Sequence, residues 1–195
     1  MKEKSKGKMK DTLNTDYYKI FYLDGRIENV DTTLNIYKDY KFNFLREDSF
    51  DLISFANSAH TYNKLAYNLK DFSKPGIGAR GKHFHYFEKE DIGYYNVPTP
   101  LTEIFAKSTF EQGQILDILV SINLNPQYNF TIAHKGYKSL GKYLNTRSRG
   151  NQFRFISNFK SKNQLNHWRF HFVSQNIFNQ ENGGLDPDSI YFFEQ

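Results

Sequence analysis

Between residues 114 and 175 apolar and polar side chains take turns with a period of two, the pattern of extended strands that carry one oily face. In 114–124, Gln114, Leu116, Ile118, Val120, Ile122 and Leu124 share one parity, and Ile115, Asp117, Leu119, Ser121 and Asn123 take the other. Residues 128–137 set Tyr128, Phe130 and Ile132 against Asn129, Thr131, Ala133 and Lys135. In 152–162, Phe153, Phe155 and Phe159 oppose Gln152, Arg154, Asn158, Lys160 and Lys162. In 167–175, Trp168, Phe170 and Phe172 oppose His167, Arg169, His171 and Gln175. Four consecutive strands follow, and 101–110 adds a shorter one with Ile104 and Ala106 opposite Phe105 and Lys107.

The connections alternate in length. Leu124-Asn125-Pro126-Gln127 is a tight turn, because proline fixes its own φ and cannot donate to a ladder. A long polar loop over 138–150 follows, then a short link at 163–166 and a long one at 180–188. Alternating segments of about ten residues, joined by short turns on one side and longer loops on the other, suit a transmembrane β-barrel. A soluble antiparallel sheet with one buried face has the same period, so the pattern alone leaves both open.

Upstream the signal is weaker. Residues 17–23 read as a strand turned by Asp24-Gly25, with 26–30 as its hairpin partner. Residues 32–44 alternate well enough to be two extended segments, and 54–69 is mixed, its asparagines arguing against a long helix. The Pro/Gly loop at 74–82 is followed by weak alternation over 83–90. In 91–100, Pro98 and Pro100 exclude a central strand. The organisation expected is a basic disordered tail over 1–15, a loop-rich region with early hairpins over 16–100, and consecutive antiparallel strands over 101–195. The tail could alternatively serve as an electrostatic arm for phosphates or lipid headgroups.

Composition adjusts this picture in three ways. Aromatic residues reach 17%, with 19 Phe and 14 Tyr, an imbalance that favours strands. The absence of cysteine removes disulfides and thiolate metal sites. The net charge of +5 owes most to Lys2, Lys4, Lys6, Lys8 and Lys10, so a nucleic-acid partner is not expected. No apolar run approaches the roughly 18 residues of a membrane helix, and the charged N-terminus has no apolar segment behind it, as a secretory signal peptide would. An exported barrel protein with this sequence is therefore expected to be an incomplete or processed form.

Candidate chemistry is sparse. The run 76–82 imitates both G-x-G-x-x-G and G-x4-G-K, but Ser73-Lys74-Pro75 precedes it and His83 stands where a magnesium-binding Ser or Thr belongs. His83 and His85 at i, i+2 could share a strand face, which leaves a metal-dependent hydrolase as a weak third reading. Glu88, Glu90 and Asp91 cluster without the second, separated carboxylate a hydrolase needs. No catalytic residue, metal ligand or cofactor is assigned.

Several longer strings carry a resemblance. They are Tyr40-Lys41-Phe42-Asn43-Phe44-Leu45-Arg46, the run 96–103, Thr109-Phe110-Glu111-Gln112-Gly113-Gln114, the run 135–143 and the run 179–185. In that order they resemble the putative porins of Bacteroidota, from about residue 31 to about residue 185. The resemblance implies an outer-membrane β-barrel with unproven pore activity, and no active residues. Members of that family are several times longer and begin with a signal peptide, so it also implies an N-terminal piece of such a protein.

The expected fold is all-β, an antiparallel up-and-down meander forming a partial, open transmembrane β-barrel. The expected function is that of a non-enzymatic outer-membrane porin for passive diffusion of small solutes. Phe153, Phe155, Phe159, Trp168, Phe170 and Phe172 would face lipid, and Arg154, Lys160, Arg169 and His171 would line the lumen and bias passage toward anions. The partners implied are outer-membrane lipid and the barrel assembly machinery, with the long loops outside the cell and the short turns in the periplasm. The alternative from another class is a soluble β-sandwich that binds carbohydrate or nucleic acid with its polar face.

Overall fold

A computed structural model describes residues 15–31, 35–54, 57–66, 83–109, 112–181 and 188. Strands β6 (Leu101–Thr109), β7 (Gly113–Asn125), β8 (Tyr128–Ser139), β9 (Ser148–Lys160) and β10 (His167–Asn179) form one sheet in chain order, each antiparallel to the next. The sheet is an open meander: β6 and β10 are its two edges and do not pair with each other. All four strands of the central pattern are present, and the shorter candidate becomes β6.

The ladder outruns the hydrophobic pattern at the long-loop end. β8 continues to Ser139 and β9 begins at Ser148, which shrinks the expected 138–150 loop to 140–147. There Tyr137 pairs with Gly150 and Lys138 with Arg149. Backbone pairing persists where the side chains are polar on both faces, so alternation of character stops before the strand does.

Register turns the strand parities into two faces. Leu116, Ile118, Val120 and Ile122 of β7 lie on one face with Phe130 and Ile132 of β8, Phe153 and Phe155 of β9, and Phe170 and Phe172 of β10. Leu116 to Leu124 covers about 27 Å of strand, or about 20 Å of height at the roughly 40° tilt of barrel strands, near the roughly 25 Å apolar band such barrels carry. At the tight-turn end the band closes on a ring cluster. Trp168 stacks on Phe159 at 5.5 Å and meets Tyr128 edge-on at 5.3 Å.

The opposite face carries Asp117, Ser121, Asn129, Thr131, Lys135, Gln152, Arg154, Arg169, His171 and Gln175. It is this polar face that the chain covers. Ser121, Thr131 and Gln152 are 0% exposed, whereas Trp168, Phe170 and Phe172 are 43%, 51% and 54% exposed. Among the described residues no opposing sheet lies over the rings, which removes the sandwich that would have buried them.

The cover is the upstream region, built from short pieces. β1 (Lys19–Phe21) forms the Asp24-Gly25 hairpin with β2 (Ile27–Asn29), and Gly25 takes the positive φ of 89° that the turn requires. β5 (Tyr94–Asn96) pairs with the other edge of β1, within the stretch expected to be irregular. β3 (Leu52–Ser54) and β4 (Tyr62–Lys64) make a further hairpin, also unexpected. The two extended segments expected over 32–44 are corrected to a 3₁₀ helix at Ile36–Lys41, because the Asn35 side chain accepts from Tyr37 N at 3.0 Å and starts a helical turn instead. A 3₁₀ turn at Lys89–Asp91 replaces the weak strand expected over 83–90. The lysine tail, apart from its last residue, and the 74–82 loop lie outside the described residues.

Candidate functional site

Among the described residues buried chemistry collects on the covered polar face, and three kinds of contact hold the upstream region on it. The first is side chain to backbone. Gln175 accepts from Phe87 N at 3.0 Å and donates to Phe87 O at 2.8 Å, as a neighbouring strand would. Gln152 Nε2 donates to His85 O at 2.6 Å. Asn57 Nδ2 donates to Thr146 O at 2.8 Å, while Ser148 Oγ donates to Ser58 O at 2.6 Å.

The second kind is a small set of apolar insertions. Phe44 packs with Ala59 against Phe105, Ile115 and Tyr137, meeting the Tyr137 ring edge-on at 4.5 Å. Ile92 and Tyr94 cover Ile156. Ile156 and Ser157 exchange the character expected at their positions: the isoleucine lies on the polar face, the serine among the rings. That local break in alternation is the sequence's mark of the contact beneath Tyr94.

The third kind pairs histidine with tyrosine in both directions. His85 Nε2, from the upstream region, lies 2.9 Å from Tyr137 OH on β8, and Tyr94 OH lies 2.7 Å from His171 Nδ1 on β10. Burial pushes the His85 imidazole down to about 3, helped by the nearby charges of His83 and Lys135. His83 and His85 rings stand 5.3 Å apart, but no group of three or more His, Cys, Asp or Glu side chains among the described residues could hold a metal. The Glu88–Asp91 cluster closes a turn, with Glu88 N donating to Asp91 Oδ2 at 2.9 Å.

Of the four basic positions singled out in the sequence, three lie under the cover. Arg169 NH1 donates to Tyr22 O at 3.3 Å, with its guanidinium 5.3 Å from the Tyr94 ring centre. It and His171 therefore meet at Tyr94. Arg154 belongs to a different group, its NH2 being 3.7 Å from Asp117 Oδ1. Lys160 is exposed at the tight-turn end, where its backbone N donates to Gln127 O at 2.9 Å.

The face also holds residues that pattern reading did not single out. Asp117 of β7 is reached by Arg154 from β9 and by Arg46 NH1 from the upstream region at 3.8 Å, and Lys135 of β8 is its register partner. Parity already placed Asp117 and Lys135 on this face. What parity lacks is the register between strands, and nothing local marks Arg46 as a partner 71 positions away.

An open sheet with ring residues outward and polar residues enclosed has a counterpart in sequence. A family model described as "Putative porin" matches residues 14–194. The chain belongs to this family. No curated protein and no solved structure gives a significant match. Family membership makes this a porin-like outer-membrane protein. No helix among the described residues is long and apolar enough to cross a membrane, which says nothing about strands. For a porin-family chain, the outward rings and the enclosed polar side are the two surfaces whose function has to be explained.

Proposed function

We propose that this porin-family chain supplies part of the wall of an outer-membrane β-barrel through which small solutes diffuse passively, without a catalytic step. Phe153, Phe155, Phe159, Trp168, Phe170 and Phe172 contact lipid, and Arg154, Lys160, Arg169 and His171 line the lumen side, Lys160 at its exposed tight-turn end. The observation that carries the reading is the inversion of burial across one sheet: Gln152 is 0% exposed while Phe172, on the neighbouring strand's other face, is 54% exposed. In water that arrangement loses the transfer energy of a whole row of rings. In hydrocarbon it is the stable one, provided that every backbone group is paired.

Pairing requires further strands at β6 and β10. Closure takes at least about eight strands. β6 and β10 run in the same direction because the strands between them are three. An all-antiparallel closure therefore adds an odd number of strands. The upstream region occupies the enclosed side but does not fill it, leaving a polar cavity of about 280 Å³ between itself and the sheet and one of about 480 Å³ largely among its own residues, with Lys135 of β8 at its wall.

The test is electrical. The purified protein reconstituted in planar bilayers is expected to give a conductance with a salt-dependent ion preference. Insertion without conductance would contradict the diffusion reading.

A further inference from the structure

Three cations converge on one carboxylate between the upstream region and the sheet, and each lies on a phenylalanine ring. Arg46 Cζ is 4.2 Å from the Phe105 centroid, Lys135 Nζ 4.6 Å from that of Phe44, and Arg154 Cζ 4.2 Å from that of Phe87. Asp117 stands among them, 3.8 Å from Arg46 and 3.7 Å from Arg154. Both separations exceed those of well-made charge-assisted hydrogen bonds.

The pairing is uneven in a way that matters. Arg46 has a second carboxylate, Glu103, with which it makes a close ion pair. Lys135 is 2% exposed and has no carboxylate within ion-pairing distance among the described residues, although Asp117 is its partner in the β7–β8 register. Arg154 Nε is buried with no hydrogen-bond partner in the protein. All three cations and Asp117 line the 280 Å³ cavity, and Arg46 and Lys135 also line the 480 Å³ one beside it. Asp91 and Glu103 line the same cavity, but Asp91 is engaged by Glu88 N and Glu103 by Arg46. The ring faces hold the flanks of the three cations, which line the space.

We infer that this cavity is a seat for a small oxyanion, a carboxylate or phosphate group, held by Lys135 and Arg154 with Arg46 at its rim. Asp117 is the internal counter-charge that the bound anion competes with. The Lys135 ammonium and the Arg154 guanidinium both line the cavity and are short of acceptors, and an anion there supplies acceptors to both at once. The inference deepens the diffusion reading by naming the class of solute, and it rests on that reading only for the route by which the anion arrives.

Inorganic phosphate is the probe. Calorimetric titration into the purified full chain in detergent is expected to show saturable binding, weakened about tenfold in K135M. D117N removes the competing carboxylate, leaves the cations in place, and is expected to tighten binding by about threefold or more. No saturable binding, equal affinity in K135M and the unsubstituted protein, or weaker or unchanged binding in D117N would each overturn the seat. D117N decides the matter if K135M does not fold. Bilayer recordings on the same samples separate the two ideas. Conductance without Lys135-dependent phosphate binding removes the seat and keeps the passage, and Lys135-dependent binding without conductance does the reverse.

Discussion

Gly150 shows how tightly single residues are specified on the covered face. Tyr137, its pairing partner on β8, lies across it, and a Cβ at Gly150 would stand 2.2 Å from Tyr137 Cε1. A glycine that leaves its place to a neighbour's ring is conformationally weak in a strand, but the ring restores the buried surface. G150A forces the ring away from Phe44 and His85, and is expected to cost about 1–3 kcal/mol of overpacking, read as a lower unfolding midpoint in detergent. An unchanged midpoint would mean that the ring has room to move.

His85 makes the same region sensitive to acid. Its folded-state value of about 3 lies below the ordinary histidine value of 6.5, so the unfolded chain binds more protons between these limits. The contribution of neutral His85 is whole above about pH 6.5. It is lost as pH falls toward about 3, at up to ~1.4 kcal/mol per pH unit. Burial lowers His60 and His83 in the same direction, while burial raises Glu47 and works against it. Replacing His85 with Gln should flatten the pH dependence of unfolding between about pH 6.5 and 4. A profile as steep as before would assign that slope to other groups.

At the scale of elements, strands and short pieces were unequally visible in the sequence, and the reason is physical. β7 to β10 span 12 or 13 residues each, long enough for a period of two to repeat several times against one continuous apolar band. β1 to β5 have three residues each, too few for a period to repeat; the β1–β2 hairpin was legible only from its Asp24-Gly25 turn, and β5 is held by β1, far away in sequence. Nothing near Phe87 announces that Gln175, 88 positions on, will satisfy both of its backbone groups. The candidate site divides in the same way. Parity gave the face of Arg154, Arg169 and His171, but their partners Asp117, Tyr22 and Tyr94 required the folded chain.

The band makes a position-dependent prediction along β10. Phe172 sits among rings, whereas Asn176, two steps farther on the same face, pairs across to Asn151 at the margin of the band, in the row of Leu116. For folding into vesicles, Phe172→Arg should cost ~2–4 kcal/mol and Asn176→Arg ~0–1 kcal/mol. Equal costs would mean that the strand does not cross a graded hydrocarbon layer.

The whole molecule reverses the usual division of a soluble protein. Among the described residues its enclosed surfaces are joined largely by side-chain amides, hydroxyls and cations, with the apolar contribution centred on Phe44 and its neighbours and on the Ile92, Tyr94 and Ile156 group. Such an interface gains little from the hydrophobic effect and depends on each polar group finding its partner. The large continuous apolar surface faces away from the rest of the chain, and its stability depends on the medium around it.

Trp168 reports on that medium directly, because it is the chain's one tryptophan and lies in the ring cluster at the tight-turn end of the band. The decisive measurement is its fluorescence in vesicles whose phospholipids carry bromine at defined acyl depths. Hydrocarbon against the ring face predicts blue-shifted emission, strong quenching by bromine near the headgroup boundary and little quenching by aqueous iodide. Emission quenched by iodide and indifferent to brominated lipid would contradict it.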